Sequence, residues 1–90
     1  MSIELKISSV FARYAGNNMV IPVTGNTVGE CLQDLKMQYP ELGNIFLDEN
    51  GNLLRSFDIY INDKSAYPDE MKKPVVDGDK LNIMPVIYGG

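Results

Sequence analysis

The sequence predicts a two-layer α+β domain, a mixed β-sheet covered on one face by a single main helix. Three observations carry that prediction. Apolar and polar residues alternate near both ends of the chain, at Ile3, Leu5 and Ile7 and again at Leu81 and Ile83, which is the period of a strand with one wet face. One central segment has helical spacing instead, with Val28, Cys31, Leu32, Leu35 and Tyr39 on a single stripe. The chain has 90 residues, enough for one domain with a modest core.

The first strand has its wet face at Glu4, Lys6 and Ser8. Val10 to Tyr14 leads into Gly16-Asn17-Asn18, a turn signal. This connection is longer than a tight hairpin turn, so some local structure is expected near Phe11–Tyr14. Met19 to Val23 supplies a second strand, antiparallel to the first. Thr27 opens the helix, and Glu30 three residues later completes a capping box. Pro40 ends the helix at Tyr39, because the residue before a proline avoids helical geometry. Residues 41–46 are expected to be an irregular piece that tucks Leu42, Ile45 and Phe46 under the helix end. A loop follows, tightest at Asn50-Gly51. Residues 57–62 form a strand, Asn62-Asp63-Lys64 a turn, and residues 67–71 a single helical turn with Pro68 at its start. Asp77-Gly78-Asp79 turns into the last strand, where Leu81 and Ile83 face one way and Asn82 and Met84 the other. Pairing is expected to weaken at Pro85, which lacks a backbone donor, unless its position faces an open edge.

A right-handed crossover through the helix would place the strand after it, or the C-terminal strand, beside the first. The first and last strands both read as buried on one face, so they are expected to be central and parallel. This is a β-grasp arrangement, with a domain over residues 1–88 and a thin, mobile tail at residues 89–90. Glycine has no Cβ and loses most entropy on ordering, so a Gly89-Gly90 end suits a segment that enters a narrow channel. The sheet face away from the helix is the expected partner face.

Composition excludes several functions. A net charge of -4 and a pI near 4.5 argue against nucleic-acid binding. No apolar run reaches the length of a membrane span, and one cysteine without an internal partner fits a reducing, cytoplasmic setting. Histidine is absent, which removes the commonest general base and zinc ligand. Cys31 lies on the apolar stripe and reads as core, not as a nucleophile. Asp77 and Asp79 read as turn formers, not as metal ligands. Asp48, Glu49, Asp58, Asp69 and Glu70 read as scattered solvated surface, with contact to a basic partner the lesser alternative. Phe11, Arg13 and Met84 are candidates for an exposed apolar patch with a positive rim, while Ile59 belongs to the core.

Phe11-Ala12-Arg13, Thr27-Val28-Gly29-Glu30, Ile59-Tyr60-Ile61-Asn62, Asp77-Gly78-Asp79, Pro85 and Gly89-Gly90 together resemble the small sulfur-carrier proteins of the ubiquitin-like superfamily, the MoaD/ThiS family. This group includes the molybdopterin synthase small subunit and the thiamine-pathway carrier. Within it, the sequence is most similar to the carrier used for cysteine biosynthesis. The resemblance implies a protein co-substrate and not an enzyme. An E1-like adenylating enzyme of the MoeB/ThiF type would use ATP to adenylate the Gly90 carboxylate. A sulfur donor would convert the product to a thiocarboxylate, and an acceptor synthase, cysteine synthase-like or the molybdopterin synthase large subunit, would take the sulfide. No cofactor is expected on the carrier itself. Gly89 and Gly90 would carry the chemistry, and Phe11, Arg13, Met84, Pro85, Val86, Ile87 and Tyr88 would meet partners. The alternative is a ubiquitin-like modifier joined to lysines through Gly90.

Overall fold

The computed structural model describes residues 3–86. The expectations placed on Ile87, Tyr88, Gly89 and Gly90, and the boundary between domain and tail, lie outside the described residues.

β1 (Ile3–Lys6) buries Ile3 and Leu5 and exposes Glu4 and Lys6, as its alternation requires. It pairs antiparallel with β2 (Val20–Val23), with Leu5 opposite Ile21. The connection is ordered, as expected. Ser9–Ala15 forms a 3-10 helix that Gly16 closes in the left-handed region at φ 61°.

α1 (Val28–Gln38) buries Val28, Cys31, Leu32 and Leu35 against the sheet. Each of the valine and leucine side chains contributes on the order of 1.5–3 kcal/mol when fully withdrawn from water. Thr27 Oγ1 accepts from the Glu30 amide at 3.2 Å. The reciprocal arm of the expected capping box lands one residue earlier: Glu30 Oε1 accepts from the Asn26 amide, at 2.9 Å.

The stretch after Pro40 differs from the expectation. Pro40 does end α1, but it also begins α2 (Pro40–Phe46), a second helix and not an irregular piece. The break is confined to Tyr39 at φ -136°, ψ 85°. Proline costs little at a first helical position, where its missing N–H would have had no partner. α2 buries Leu42, Gly43 and Phe46, and Ile45 is only half-buried. A Cβ on Gly43 would sit 2.6 Å from Lys36 Cβ, so the close approach of the two helices requires glycine there.

β3 (Phe57–Ile61) and the two-residue β4 (Lys64–Ser65) form an antiparallel pair. The expected helical turn is a 3-10 turn at Glu70–Lys72, slightly later than the sequence indicated. β5 (Lys80–Pro85) keeps its pairing through Pro85, which lies opposite Phe57. The sheet order is β2-β1-β5-β3-β4, with β1 and β5 parallel and β5 central. The helices cover one face over a core that includes Leu5, Ile21, Leu32, Leu35, Phe46, Ile59, Leu81 and Ile83.

The β2 edge is closed by α1. Gln38 Nε2 donates to the Pro22 carbonyl at 2.8 Å, and Asp34 Oδ2 accepts from the Thr24 amide at 3.0 Å. Pro22 itself has no N–H to offer another strand. Such devices blunt an otherwise pairable sheet edge.

Candidate functional site

The feature of the topology that bears most on function is the C-terminal end of β5. β5 is flanked by β1 over Lys80–Asn82 and by β3 along Leu81–Pro85. Its end is fixed by the Phe57–Pro85 pairing and by the Val86 amide, which donates to the Ser56 carbonyl at 2.8 Å. Val86 is therefore held in a defined place at the end of β5.

An aromatic cluster backs that exit. Phe57 shares the core-facing parity of Ile59. Its ring meets Phe46 edge-on at 4.9 Å between centroids, and Phe11 completes the triangle at 5.3 Å from Phe46 and 5.8 Å from Phe57. Edge-to-face pairs at these separations are attractive because the positive rim of one ring meets the negative face of another. This cluster is not legible in the sequence. Phe57 was visible as one end of a strand, but no local pattern links it to residues 11 and 46.

Phe11, Arg13 and Met84 are not brought together as one patch. Phe11 is half-buried on the helix side, held by Phe46 and Phe57. Met84 has the opposite parity to Ile83 and lies on the uncovered sheet face, 45% exposed. Arg13 is exposed but folds onto its neighbour, donating to Tyr14 Oη at 2.9 Å with its guanidinium 4.9 Å from the ring centroid. The reason is that the 3-10 helix turns Phe11 inward to fill the gap between α2 and β3. Pro85 is exposed and Val86 half-buried, both at the exit. Ile59 is fully buried, as expected.

The acidic turn before β5 is structural. Asp79 accepts from the Val76 amide and from Asn62 Nδ2, both at 2.9 Å, and these bonds hold its carboxyl below the usual value. Gly78, at φ 95°, supplies the conformation that this turn needs. Among the described residues, no group of three or more acidic, cysteine or histidine side chains is placed to hold a metal ion. Cys31 is buried, and its thiol is pushed up to about 11, first by burial and then by the Asp34 and Glu30 carboxylates. It is a packing residue. No helix among the described residues is long and apolar enough to cross a membrane.

A parallel β1–β5 core, a crossover helix over one face and a braced exit after β5 define a ubiquitin-like β-grasp protein. The chain belongs to the ThiS family, whose pattern matches residues 9–90. It is 26% identical to the sulfur carrier protein CysO of Mycobacterium bovis and to that of Mycobacterium tuberculosis, over 100% of either chain. Among solved structures, it superposes on a chain of the Amycolatopsis orientalis BexX/CysO complex with a TM-score of 0.87, at 24% identity, covering 99% of this chain and 100% of that one. SAMP1 from Haloferax volcanii matches over 100% of both chains, with a TM-score of 0.81 and 26% identity. The β-grasp expectation and the resemblance to ubiquitin-like sulfur carriers are both borne out.

Proposed function

We propose that the chain is a protein co-substrate that carries sulfur on the carboxyl group of Gly90. An adenylating enzyme attaches AMP to the Gly90 carboxylate with release of pyrophosphate. A sulfur donor then displaces AMP to leave a thiocarboxylate, which gives up sulfide inside an acceptor enzyme. The observation that carries this reading is the braced exit at Pro85–Val86, in a chain whose ThiS-family match runs to residue 90.

The division of labour follows from chemistry. A carboxylate is a poor electrophile until AMP supplies a leaving group, and the groups that stabilise that transfer belong to the enzyme. The carrier contributes the reacting carboxyl and a base that presents it. Pro85 and Val86 are then the first contacts of the partner, followed by Ile87 and Tyr88. Met84 and Arg13 act as more distant contacts, while Phe11 braces the exit from behind. ATP is consumed by the activating enzyme and is not bound here. Similarity to CysO favours cysteine biosynthesis as the destination of the sulfur.

The test is a Gly89→Ala variant offered to the cognate adenylating enzyme with ATP and a sulfide source. A side chain there would jam a channel fitted to glycine. The expected result is a slower rate of activation with unchanged thermal stability; normal thiocarboxylate yield at the normal rate would contradict it. A second reading, conjugation to lysines, has the SAMP1 likeness in its favour, since the Methanosarcina acetivorans SAMP1 that this chain also matches is called a small archaeal modifier protein. Stable isopeptide-linked conjugates through Gly90 would support that reading instead.

A further inference from the structure

Of the acidic residues that look scattered in sequence, Asp58, Asp69 and Glu70 line one cleft. This cleft, of about 640 Å³, opens beside the tail exit, with Val86 itself forming part of its wall. Leu54, Phe57 and Tyr67 give the cleft an apolar lining, and Tyr67 stands 75% exposed at its rim. Asp58, Asp69 and Glu70 contribute three carboxylates to the lining, against one guanidinium from Arg55. Asp58 is partly engaged, with its carboxylate accepting from the Ile59 amide and from Ser65 Oγ. Asp69 and Glu70 follow one another in the lining.

We propose that this cleft is a docking site for a basic, partly aliphatic segment, a lysine or arginine with an apolar neighbour, on the adenylating enzyme that receives the tail. The proposal rests on the sulfur-carrier reading above. Four residues separate Val86 from the end of Gly90, so the reacting carboxyl lies within ~14 Å of Val86 even when fully extended. A standard interface covers roughly 800 Å² on each partner, a disc of ~16 Å radius. An enzyme whose catalytic groups surround Gly90 therefore also covers the cleft wall at Val86. What it places there must match a mixed lining, with apolar side chains from Leu54, Phe57 and Tyr67 beside an excess of acidic residues. A lysine or arginine does both, because its stem packs on apolar surface while its head meets the carboxylates. An acidic segment would be repelled.

The experiment is carrier-dependent ATP–pyrophosphate exchange by the cognate adenylating enzyme, measured with the unaltered chain, Glu70→Lys and Asp77→Lys. Both variants change the net charge equally, but Asp77 lies beyond the opposite end of β5. Glu70→Lys is expected to raise the KM for the carrier about fivefold, leave kcat within about twofold, and flatten the salt dependence of KM. Asp69→Asn, which keeps a residue type that tolerates the φ of 60° at that position, should raise KM in the same direction with no change in backbone. Asp77→Lys should stay within about twofold on both constants. Equal KM shifts for Glu70→Lys and Asp77→Lys, or a loss confined to kcat, would overturn the docking site while leaving the carrier reading intact. Absence of carrier-dependent exchange with the unaltered chain would overturn the carrier reading, and this proposal with it.

Discussion

Replacing Phe46 and Phe57 by leucine, singly and together, tests whether the aromatic triangle braces the tail exit. Leucine keeps most of the apolar volume, so the single variants chiefly lose edge-to-face contacts. Each ring takes part in two, at 4.9 and 5.3 Å for Phe46 and at 4.9 and 5.8 Å for Phe57. At about 0.5–1.5 kcal/mol per pair beyond area burial, each single variant should cost about 1–3 kcal/mol. A domain of this size holds roughly 5–13 kcal/mol in total, so both singles should fold. The 4.9 Å pair is shared, and the double variant should therefore cost less than the sum of the singles, by about 0.5–1.5 kcal/mol. Urea unfolding measures all three values with one slope. The same samples report on the exit: exchange of the Val86 amide, which is bonded to Ser56, should quicken more in Phe57→Leu than in Phe46→Leu, because Phe57 pairs directly with Pro85. Additive costs within about 0.3 kcal/mol, or Val86 exchange no faster in Phe57→Leu, would refute the brace.

Three further outcomes are expected. Cys31 should resist a thiol reagent at pH 8 in the native chain and react on unfolding, since a rise from 9.0 to about 11 lowers its thiolate fraction by roughly a hundredfold; fast native labelling would contradict its burial. A raised folded value contributes stability that is present below 9.0 and lost as pH climbs toward about 11, so Cys31→Ala should flatten alkaline unfolding in that window without impairing sulfur transfer. Asp79 has the opposite sign: its lowered folded value contributes stability that is present above 3.8 and lost as pH falls through the folded value. The stability gap between the parent chain and Asp79→Ala should shrink as pH falls below 3.8, whereas a constant gap from neutral to acid pH would contradict the role given to its two hydrogen bonds.

Much of the fold was legible because the relevant signals are local. The alternation of Ile3, Leu5 and Ile7 and the capped stripe from Val28 to Leu35 each reflect one element resting on one core. The parallel pairing of β1 with β5 was legible because both strands carry the alternation of a strand buried on one face, which suits the centre of the sheet. α2 was missed because Pro40 carries two meanings, a stop for the helix before it and a favoured start for the next. Its seven residues include Gly43 and lack a side-chain cap, so no periodic signal outweighed the proline. The site was legible only in part. Met84 was correctly placed on the uncovered sheet face by parity, but Phe11 turned inward because its partners lie 35 and 46 positions away, at Phe46 and Phe57. Clustering of Asp58, Asp69 and Glu70 around one cleft likewise depends on how β3 and the loop after β4 fold together.

The proposed function turns on conversion of the Gly90 carboxyl to a thiocarboxylate. The most direct measurement is the intact mass of the chain after incubation with ATP, its cognate adenylating enzyme and a sulfide source, followed by mapping of the modified residue. The expected result is a mass gain equal to sulfur replacing oxygen, located at Gly90 and dependent on ATP. An unchanged mass under conditions where the same enzyme thiocarboxylates another carrier, or a product linked through Gly90 to lysine, would contradict it.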